Sequence, residues 1–264
     1  MTTVGLLAST FAFAAAAMLL LWLLSLRLRD ASIVDIWWGP GFVAIATFAW
    51  LFDSRGDPAR SQLVVVLAAA WGLRLGAYLF WRNAGKGEDY RYQAMRRRHG
   101  ARFGRVSLVS VFGLQGLLMW FISLPLQVAQ TGGSTGGLGA LDGIGTALFC
   151  VGLLFEAVGD LQLARFKADP ESPGRVMDRG LWRYTRHPNY FGDCVVWWGL
   201  WLVACGAPGG VYTFASPVLM TFLLVRVSGV ALLERGLVKR KPGYADYIAR
   251  TSAFLPRPPR MPRG

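Results

Sequence analysis

Cysteine and histidine are scarce in this chain, and their scarcity argues against two kinds of site. The sequence contains three cysteines and two histidines among 264 residues. Cys150, Cys194 and Cys205 show no paired spacing, so we expect small apolar packing residues rather than a disulfide framework. His99 and His187 lie too far apart in sequence for a recognisable metal-ligand motif. The sequence therefore predicts no metal site.

Several sequence signatures of soluble nucleotide-binding domains and of barrels are also missing. The pattern G-x-x-x-x-G-K-[ST] does not occur, and no G-x-G-x-x-G follows a strand, which excludes a phosphate loop and a Rossmann site. Alternating ten-residue segments typical of membrane barrels are absent as well. The net charge is +13, but the basic residues flank apolar stretches instead of forming a separate domain. We therefore expect no nucleic-acid partner.

Long apolar runs dominate the sequence. Hydrophobic residues make up 54% of the chain and charged residues 16%. Runs of about 20 apolar residues are long enough to cross the hydrocarbon core as helices. We predict an all-α polytopic membrane protein with residues 1–264 in a single transmembrane domain. The predicted spans are 4–27, 33–52, 62–81, 107–128, 141–163, 189–206 and 211–233.

The basic residues indicate how these spans are oriented. Segments 82–106 and 164–188 hold eight and six Lys or Arg residues, and the chain from Arg226 onward holds nine. Segments 129–140 and 207–210 hold none. Short loops rich in Lys and Arg stay in the cytoplasm. The pattern predicts an outside amino terminus, a cytoplasmic carboxyl terminus and seven spans.

The segment from Arg186 to Asp193 is the strongest candidate for a functional site. It reads RHPNYFGD and opens the sixth predicted span. Pro188 suits a first helical turn, whose free N–H groups favour an anionic ligand. Asn189 offers an amide that hydrogen-bonds in both directions. Asp193 would lie within the hydrocarbon, where a lone acid is costly unless it has a role.

Two further groups of polar residues belong to the same predicted cytoplasmic side. Glu156 and Asp160 are four residues apart near the end of the fifth span and are followed by Arg165 and Lys167. These residues either form a structural acid–base pair at the end of the span or bind the ribose and phosphates of a nucleotide. Tyr247 lies in a tail that either anchors in the headgroup layer or joins the site.

Buried polar residues in the first half offer a second set of candidates. Asp35 and Arg74 lie in the second and third spans, where they would pair structurally or act in catalysis. Gln115 lies in the fourth span. Trp38 and Trp71 would either form an interfacial belt or line a flat apolar pocket.

The motifs quoted above resemble a known family. The segment Arg186–Asp193, with Glu234 and the tail 247–256, resembles the carboxyl-terminal domain of steroid 5α-reductases. The stretch 81–92, WRNAGKGEDYRY, resembles a bacterial branch of that family whose members mostly lack an assigned function. The likeness is strongest over residues 145–256.

The resemblance implies a seven-helix membrane fold that reduces a carbon–carbon double bond conjugated to a carbonyl, with NADPH entering from the cytoplasm. An apolar, lipid-borne substrate would follow. The cofactor-binding residues it implies are Asp160, Arg165, Lys167, Arg186, Asn189, Asp193, Arg226 and Glu234. We also expect His187, Tyr190 and Tyr247, from the same motif and tail, in the cofactor site.

One departure from the family concerns the substrate. Steroid 5α-reductases carry a Glu in the second span and a Tyr in the third that hydrogen-bond the steroid ketone. The matching positions here are Trp38 and either Gly72 or Trp71. Asp35, one helical turn before Trp38, is our first candidate for the missing donor if it is protonated, and Arg74 is the rival. Tyr90, Tyr92 and Gln115 are the next candidates.

Two other functions remain open at this point. Isoprenylcysteine and phospholipid methyltransferases also carry an Arg-His-Pro motif that opens a span, but they use S-adenosylmethionine. Asn189 and Asp193 favour the reductase over the methyltransferase. A transporter or binding protein is the third alternative, although paired broken helices in two matching halves are not recognisable.

Overall fold

The protein is built from α-helices joined by short turns. The computed structural model describes residues 2–53, 55–133, 136–227 and 241–260. Within these ranges there is no strand, and one isolated bridge joins Thr185 to Ser252. The all-α prediction is confirmed. The described α-helices are α1 (Thr3–Leu28), α2 (Ile33–Phe52), α3 (Pro58–Asn83), α4 (Tyr90–His99), α5 (Phe103–Ser107), α6 (Leu114–Ile122), α7 (Leu124–Val128), α8 (Ala140–Ala168), α9 (Pro188–Ala204), α10 (Ala215–Phe222) and α11 (Tyr244–Arg250).

Tighter and wider helical turns interrupt or extend these helices. The 3₁₀ turns are Gly100–Arg102, Gly180–Arg183 and Gly210–Phe214. The π turns are Leu108–Gly113, which joins α5 to α6, and Leu223–Val227, which continues α10.

Six helical stretches in the described part of the chain are long and apolar enough to cross a membrane. They are Thr3–Leu28, Ile33–Phe52, Pro58–Asn83, Tyr90–Ile122, Ala140–Ala168 and Gly210–Val227. The predicted sixth span corresponds to α9, which has 17 residues. The end of the predicted seventh span lies outside the described residues. The chain is thus a polytopic helical membrane protein.

Large apolar side chains cover the outside of these helices. Leu20, Leu51 and Leu154 are 67%, 66% and 63% exposed. A soluble protein rarely leaves so much contiguous apolar surface in water. Because helices that are apolar all round are stable within lipid, this surface fits contact with the hydrocarbon core.

By internal packing the chain divides into two compact units. Unit 1 consists of Met1–Asp142 with Val203–Ser216, and unit 2 of Gly143–Leu202 with Pro217–Gly264. In unit 1, α2 packs closely on α3 because Gly39 and Gly72 face each other with no room for a Cβ on either residue. Small residues of this kind let membrane helices approach backbone to backbone.

One end of unit 1 is tied together by a buried ion pair. The Arg60 guanidinium donates to both carboxylate oxygens of Asp142, at 2.8 and 2.9 Å. Both side chains are nearly fully buried. Asp57 caps α3 by accepting from the backbone N–H groups of Ala59 and Arg60. Removing one member of a buried ion pair leaves the other charge buried without compensation, which destabilises the fold. We therefore assign these residues a structural role.

In unit 2 the helices α8 and α9 pack backbone against backbone. Gly192 of α9 lies against the backbone of Glu156, where a Cβ would clash. The loop before α9 is fastened to α8 because the indole N–H of Trp182 donates to the carbonyl of Gly159 at 3.1 Å. The first turn of α9 therefore has a fixed position beside the end of α8.

Candidate functional site

The first cluster of polar residues lies in unit 2, where α9 begins beside the last turns of α8. The side-chain N–H₂ of Asn189 donates to Oδ1 of Asp160 at 3.0 Å. The carbonyl oxygen Oδ1 of Asn189 is buried and has no hydrogen-bond partner among the described residues. The structure thus brings together two residues that the sequence placed in the cofactor site, and it leaves one acceptor available.

Two acids lie one turn deeper along the same two helices. Glu156 precedes Asp160 by four residues on α8, and Asp193 follows Asn189 by four residues on α9. Both acids are buried, at 3% and 8% exposure. The contact between Gly192 and Glu156 keeps this stretch of the two helices at close range. The cluster is therefore a polar seam within otherwise apolar helices.

Basic residues follow the seam at the end of α8 and occur in the loop that precedes α9. Arg165 and Lys167 are exposed in the last turn of α8. Arg179 and Arg183 are exposed in the loop that leads to α9. Cations at a helix carboxyl terminus complement its dipole, and they also provide positive charge for an anionic ligand. Arg226 is exposed in the π turn after α10, and Glu234 lies outside the described residues.

Arg186 and Tyr247 hold the carboxyl-terminal segment in place. The Arg186 guanidinium is buried and donates to the carbonyl oxygens of Ile248 and Thr251, at 3.1 and 2.5 Å. The hydroxyl of Tyr247 donates to the carbonyl of Trp182 at 2.5 Å. Burial raises the pKa of Tyr247, so this hydroxyl stays protonated as a donor. These contacts give both residues a structural role in addition to any role toward a ligand.

His187 and Tyr190 form the remaining part of the motif. Their rings stack in parallel, with centroids 5.6 Å apart. His187 is 2% exposed, whereas Tyr190 is half-buried. The two stacked rings lie at the start of α9, on either side of Asn189 in the sequence.

The second cluster lies in unit 1 and centres on Asp35. Its Oδ2 accepts from the Arg91 guanidinium at 2.6 Å, and its Oδ1 accepts from the hydroxyl of Tyr92 at 2.7 Å. Gln115 donates to the same tyrosine oxygen at 3.3 Å. The structure therefore joins Asp35 and Gln115, both predicted site residues, through Tyr92, which the sequence offered only as a reserve candidate.

The remaining predicted residues of unit 1 lie on α2 and α3. Trp38 and Trp71 both pack edge-on against Phe42, with ring centroids 5.2 and 5.5 Å away. Trp71 is fully buried. Arg74 is half-buried one turn after Trp71 on α3. The tryptophans thus belong to the aromatic packing of the α2–α3 pair.

The partly buried Glu88, in the loop before α4, holds the second cluster in place. Glu88 accepts from the backbone N–H of Ala31 at 2.9 Å and from the Arg96 guanidinium at 2.7 and 2.9 Å. Burial alone would raise the pKa of Glu88, but the hydrogen bonds from Arg96 and Ala31 outweigh it, so this pKa is lowered. The Glu88 carboxylate therefore fixes α4, and with it Arg91 and Tyr92, against the turn that precedes α2.

Arg91 is the residue that sequence reasoning missed. It lies in the polar segment 82–106, which we used as a topology signal and, over residues 81–92, as part of the family resemblance. The available clue was the spacing of Asp89, Arg91 and Tyr92 at the start of a short helix. The contacts of Arg91 and Tyr92 with Asp35 join residues 56 and 57 positions apart, which no local pattern reveals.

The helices and the two polar clusters define a class: a polytopic all-helical membrane protein with hydrogen-bonded polar residues within its apolar helices. Within that class, the chain belongs to the family described as "Protein of unknown function (DUF1295)", whose model matches residues 21–251.

A curated relative extends this similarity to a eukaryote. The chain is 25% identical over 264 residues to "Uncharacterized protein C594.04c" of Schizosaccharomyces pombe. The match covers 90% of this chain and 76% of the yeast protein. No solved structure matches the chain.

Proposed function

We propose that this protein is a membrane-embedded reductase that uses NADPH to reduce a carbon–carbon double bond conjugated to a carbonyl. The substrate in this proposal is apolar and lipid-borne. The steroid 5α-reductase-like motif over Arg186–Asp193 supports the proposal. The observation that carries it is the buried carbonyl oxygen of Asn189, which has no hydrogen-bond partner among the residues that the structure describes.

The side-chain carbonyl oxygen of Asn189 requires a hydrogen-bond donor on the ligand. A buried acceptor without a donor costs about 1–3 kcal/mol, so such an atom is a natural contact for a bound molecule. Asp160 holds the amide through its N–H₂ group and leaves the oxygen as the available acceptor. A carboxamide N–H₂ or a ribose hydroxyl would satisfy it. NADPH carries both groups, and its phosphates match the positive charge of Arg165 and Lys167.

When bound, NADPH supplies a hydride, and the overall reaction also consumes one proton. Asp160 orients the amide of Asn189 so that its carbonyl oxygen accepts a hydrogen bond from the cofactor. Arg165 and Lys167 attract the phosphates, because guanidinium and ammonium groups form charge-assisted hydrogen bonds with them.

We assign the donor for the substrate carbonyl to Tyr92. Hydride addition to the β-carbon of an enone builds negative charge on the carbonyl oxygen, and a fixed donor there stabilises the transition state more than the ground state. Asp35 accepts in both of its contacts, so it does not donate as placed. The Tyr92 hydroxyl donates its single proton to Asp35 and accepts from Gln115, so it donates to the substrate oxygen only after turning away from Asp35.

We also propose the finer topology: seven spans, with the amino terminus outside and the carboxyl terminus in the cytoplasm of a bacterial inner membrane. The uneven distribution of Lys and Arg supports this arrangement. The length of α9, 17 residues, is at the lower end of what a hydrocarbon core requires.

The cofactor proposal is tested by titrating detergent-purified protein with NADPH and, separately, with S-adenosylmethionine. We expect saturable NADPH binding that weakens at least tenfold, about 1.4 kcal/mol, in Asn189→Ala and in Asp160→Asn. Glu171→Gln is the matched control because Glu171 is an exposed acid of the same unit, at 84% side-chain exposure. Unchanged affinity in both folded variants would exclude this site. Saturable S-adenosylmethionine binding in place of NADPH would instead favour a methyltransferase.

A further inference from the structure

A groove runs along the outside of unit 1 between α1 and the helix that contains the π turn. Its volume is about 460 Å³, and its lining is almost entirely apolar. One wall is formed by Phe11, Ala15 and Met18, and the other by Leu108, Phe112 and Gly116. The groove is separate from the Asp35 cluster, and the proposed reductase function does not use it.

The shape of this groove is built into the backbone. The π turn Leu108–Gly113 widens the helix locally, and such turns occur frequently at functional sites. At Gly116 the two helices approach so closely that a Cβ would lie 3.0 Å from Cγ of Met18. Ala15 is exposed and adds little volume to its wall. Small residues and a widened turn therefore leave a channel where larger side chains would fill the gap.

Arginines without acidic partners lie beyond one end of the groove. Arg97, Arg98, Arg102 and Arg105 are exposed on α4, α5 and the 3₁₀ turn between them. Within the described ranges, none of these four forms an ion pair or a side-chain hydrogen bond, whereas Arg96 nearby pairs with an acid. Four guanidinium groups that lack protein partners can bind external anions.

The groove and these arginines belong to one continuous surface. The indole N–H of Trp22 on α1 donates to the carbonyl of Gly104 at 2.9 Å, which joins α1 to α5 just past the groove. Arg105 precedes Leu108, a groove-lining residue, by three positions, so both lie on the same side of the helix. A molecule in the groove would therefore extend toward Arg105 within about one helical turn, roughly 5 Å.

We propose that this surface is a binding site for an anionic phospholipid. One acyl chain occupies the groove, and the headgroup phosphate contacts Arg102 and Arg105, with Arg97 and Arg98 adding positive charge. Guanidinium groups bind phosphate oxygens in bidentate fashion. An acyl chain gains no hydrophobic free energy by leaving bilayer for an apolar groove, since both surroundings are equally apolar. The selectivity of the site therefore comes from the headgroup, while the groove fixes where the lipid sits.

The experiment uses the full-length protein in detergent and native mass spectrometry with added phosphatidylglycerol or phosphatidylcholine. We expect wild-type protein to bind phosphatidylglycerol at least tenfold more tightly than phosphatidylcholine. The double variant Arg102→Gln/Arg105→Gln should lose that preference. Arg257→Gln/Arg260→Gln removes the same charge from exposed arginines in unit 2 and should retain it. Ala15→Leu, which fills the groove from an exposed position, should also weaken phosphatidylglycerol binding.

Three outcomes would overturn the proposal. Equal affinity for both lipids in the wild type would show that the arginines confer no selectivity. Loss of the preference in both double variants alike would show a response to net charge alone. Displacement of phosphatidylglycerol by inorganic phosphate, together with unaltered lipid binding in Ala15→Leu, would show a site for free anions that needs no acyl chain.

Discussion

Tyr92 and Asp35 form a hydrogen-bonded pair in unit 1. Tyr92 is 7% exposed and donates to Asp35, which in turn accepts from the exposed Arg91. The Asp35 carboxylate accepts a charge-assisted hydrogen bond from Arg91 and a second hydrogen bond from the Tyr92 hydroxyl. These two contacts offset the free-energy cost of placing the carboxylate in a half-buried position. The single tyrosine proton is therefore directed at Asp35, and donation to a developing negative charge on the substrate requires the hydroxyl to turn away from that carboxylate.

Replacing Tyr92 by Phe tests the donor role. We expect Tyr92→Phe to lower the rate of NADPH oxidation with an apolar enone by about 10²-fold, the usual cost of removing one such donor. NADPH affinity should stay unchanged, because the cofactor cluster consists of other residues. The measurement is NADPH consumption across a panel of apolar enones at saturating cofactor.

Tyr90→Phe is the control for that experiment. Tyr90 is 70% exposed, only two residues away, and at the start of the same short helix. A loss of turnover as large in Tyr90→Phe as in Tyr92→Phe would contradict a specific donor role. Full turnover in Tyr92→Phe would contradict it directly.

At the residue scale, sequence reasoning selected polar residues, but it did not predict most of their hydrogen-bond partners. It selected Asp160 and Asn189, which the structure joins at 3.0 Å. It assigned Arg186 to ligand binding, whereas the structure engages that guanidinium with the carbonyls of Ile248 and Thr251. A hydrogen bond between residues more than 60 positions apart leaves no local signature, so sequence alone does not indicate which donors are already used.

At the scale of secondary-structure elements, the polar stretch 84–99 contains a helix, α4, that its composition does not predict. The apolar spans were predictable because long runs of Leu, Val and Ala reveal helices in lipid. Helix α4 was not predicted, since its sequence YRYQAMRRRH offers no apolar stripe and reads as a basic loop. Its position depends on tertiary contacts, chiefly those of Glu88 with Arg96 and with the turn before α2.

Glu88→Gln tests that dependence through its effect on stability. The folded-state pKa of Glu88 is lowered from its ordinary value of 4.5, so the ionised carboxylate stabilises the fold at neutral pH. We expect the variant to lose roughly 1 kcal/mol at pH 7, a typical value for a hydrogen-bonded group. The wild type should lose the same contribution as the pH falls through and below about 4, so the two proteins should converge in acid.

Thermal unfolding in detergent at both pH values measures this difference. Glu171→Gln is again the control, because its side chain is exposed and its distance to Arg175 is 3.8 Å. Exposed pairs of this kind contribute little. A gap between Glu88→Gln and the wild type that persists unchanged in acid would contradict the assigned role.

At the scale of the whole molecule, the membrane determines from which side a charged ligand can reach each polar cluster. The predicted cytoplasmic segments hold most of the Lys and Arg residues, and Arg165 and Lys167 at the end of α8 belong to them. NADPH is charged, so it cannot cross the bilayer and must bind from the side where it is made. The proposed topology and the proposed cofactor thus make one joint claim, namely that the Asn189 cluster opens to the cytoplasm.

That claim is tested most directly by measuring NADPH binding in sealed vesicles of opposite orientation. Energy transfer from tryptophan to NADPH reports binding, and vesicles that contain the Asn189→Ala variant provide the background. We expect a saturable signal in inverted vesicles, whose cytoplasmic face is outside, and none in right-side-out vesicles until they are permeabilised. A signal confined to intact right-side-out vesicles, or no saturable signal in either preparation, would contradict the account.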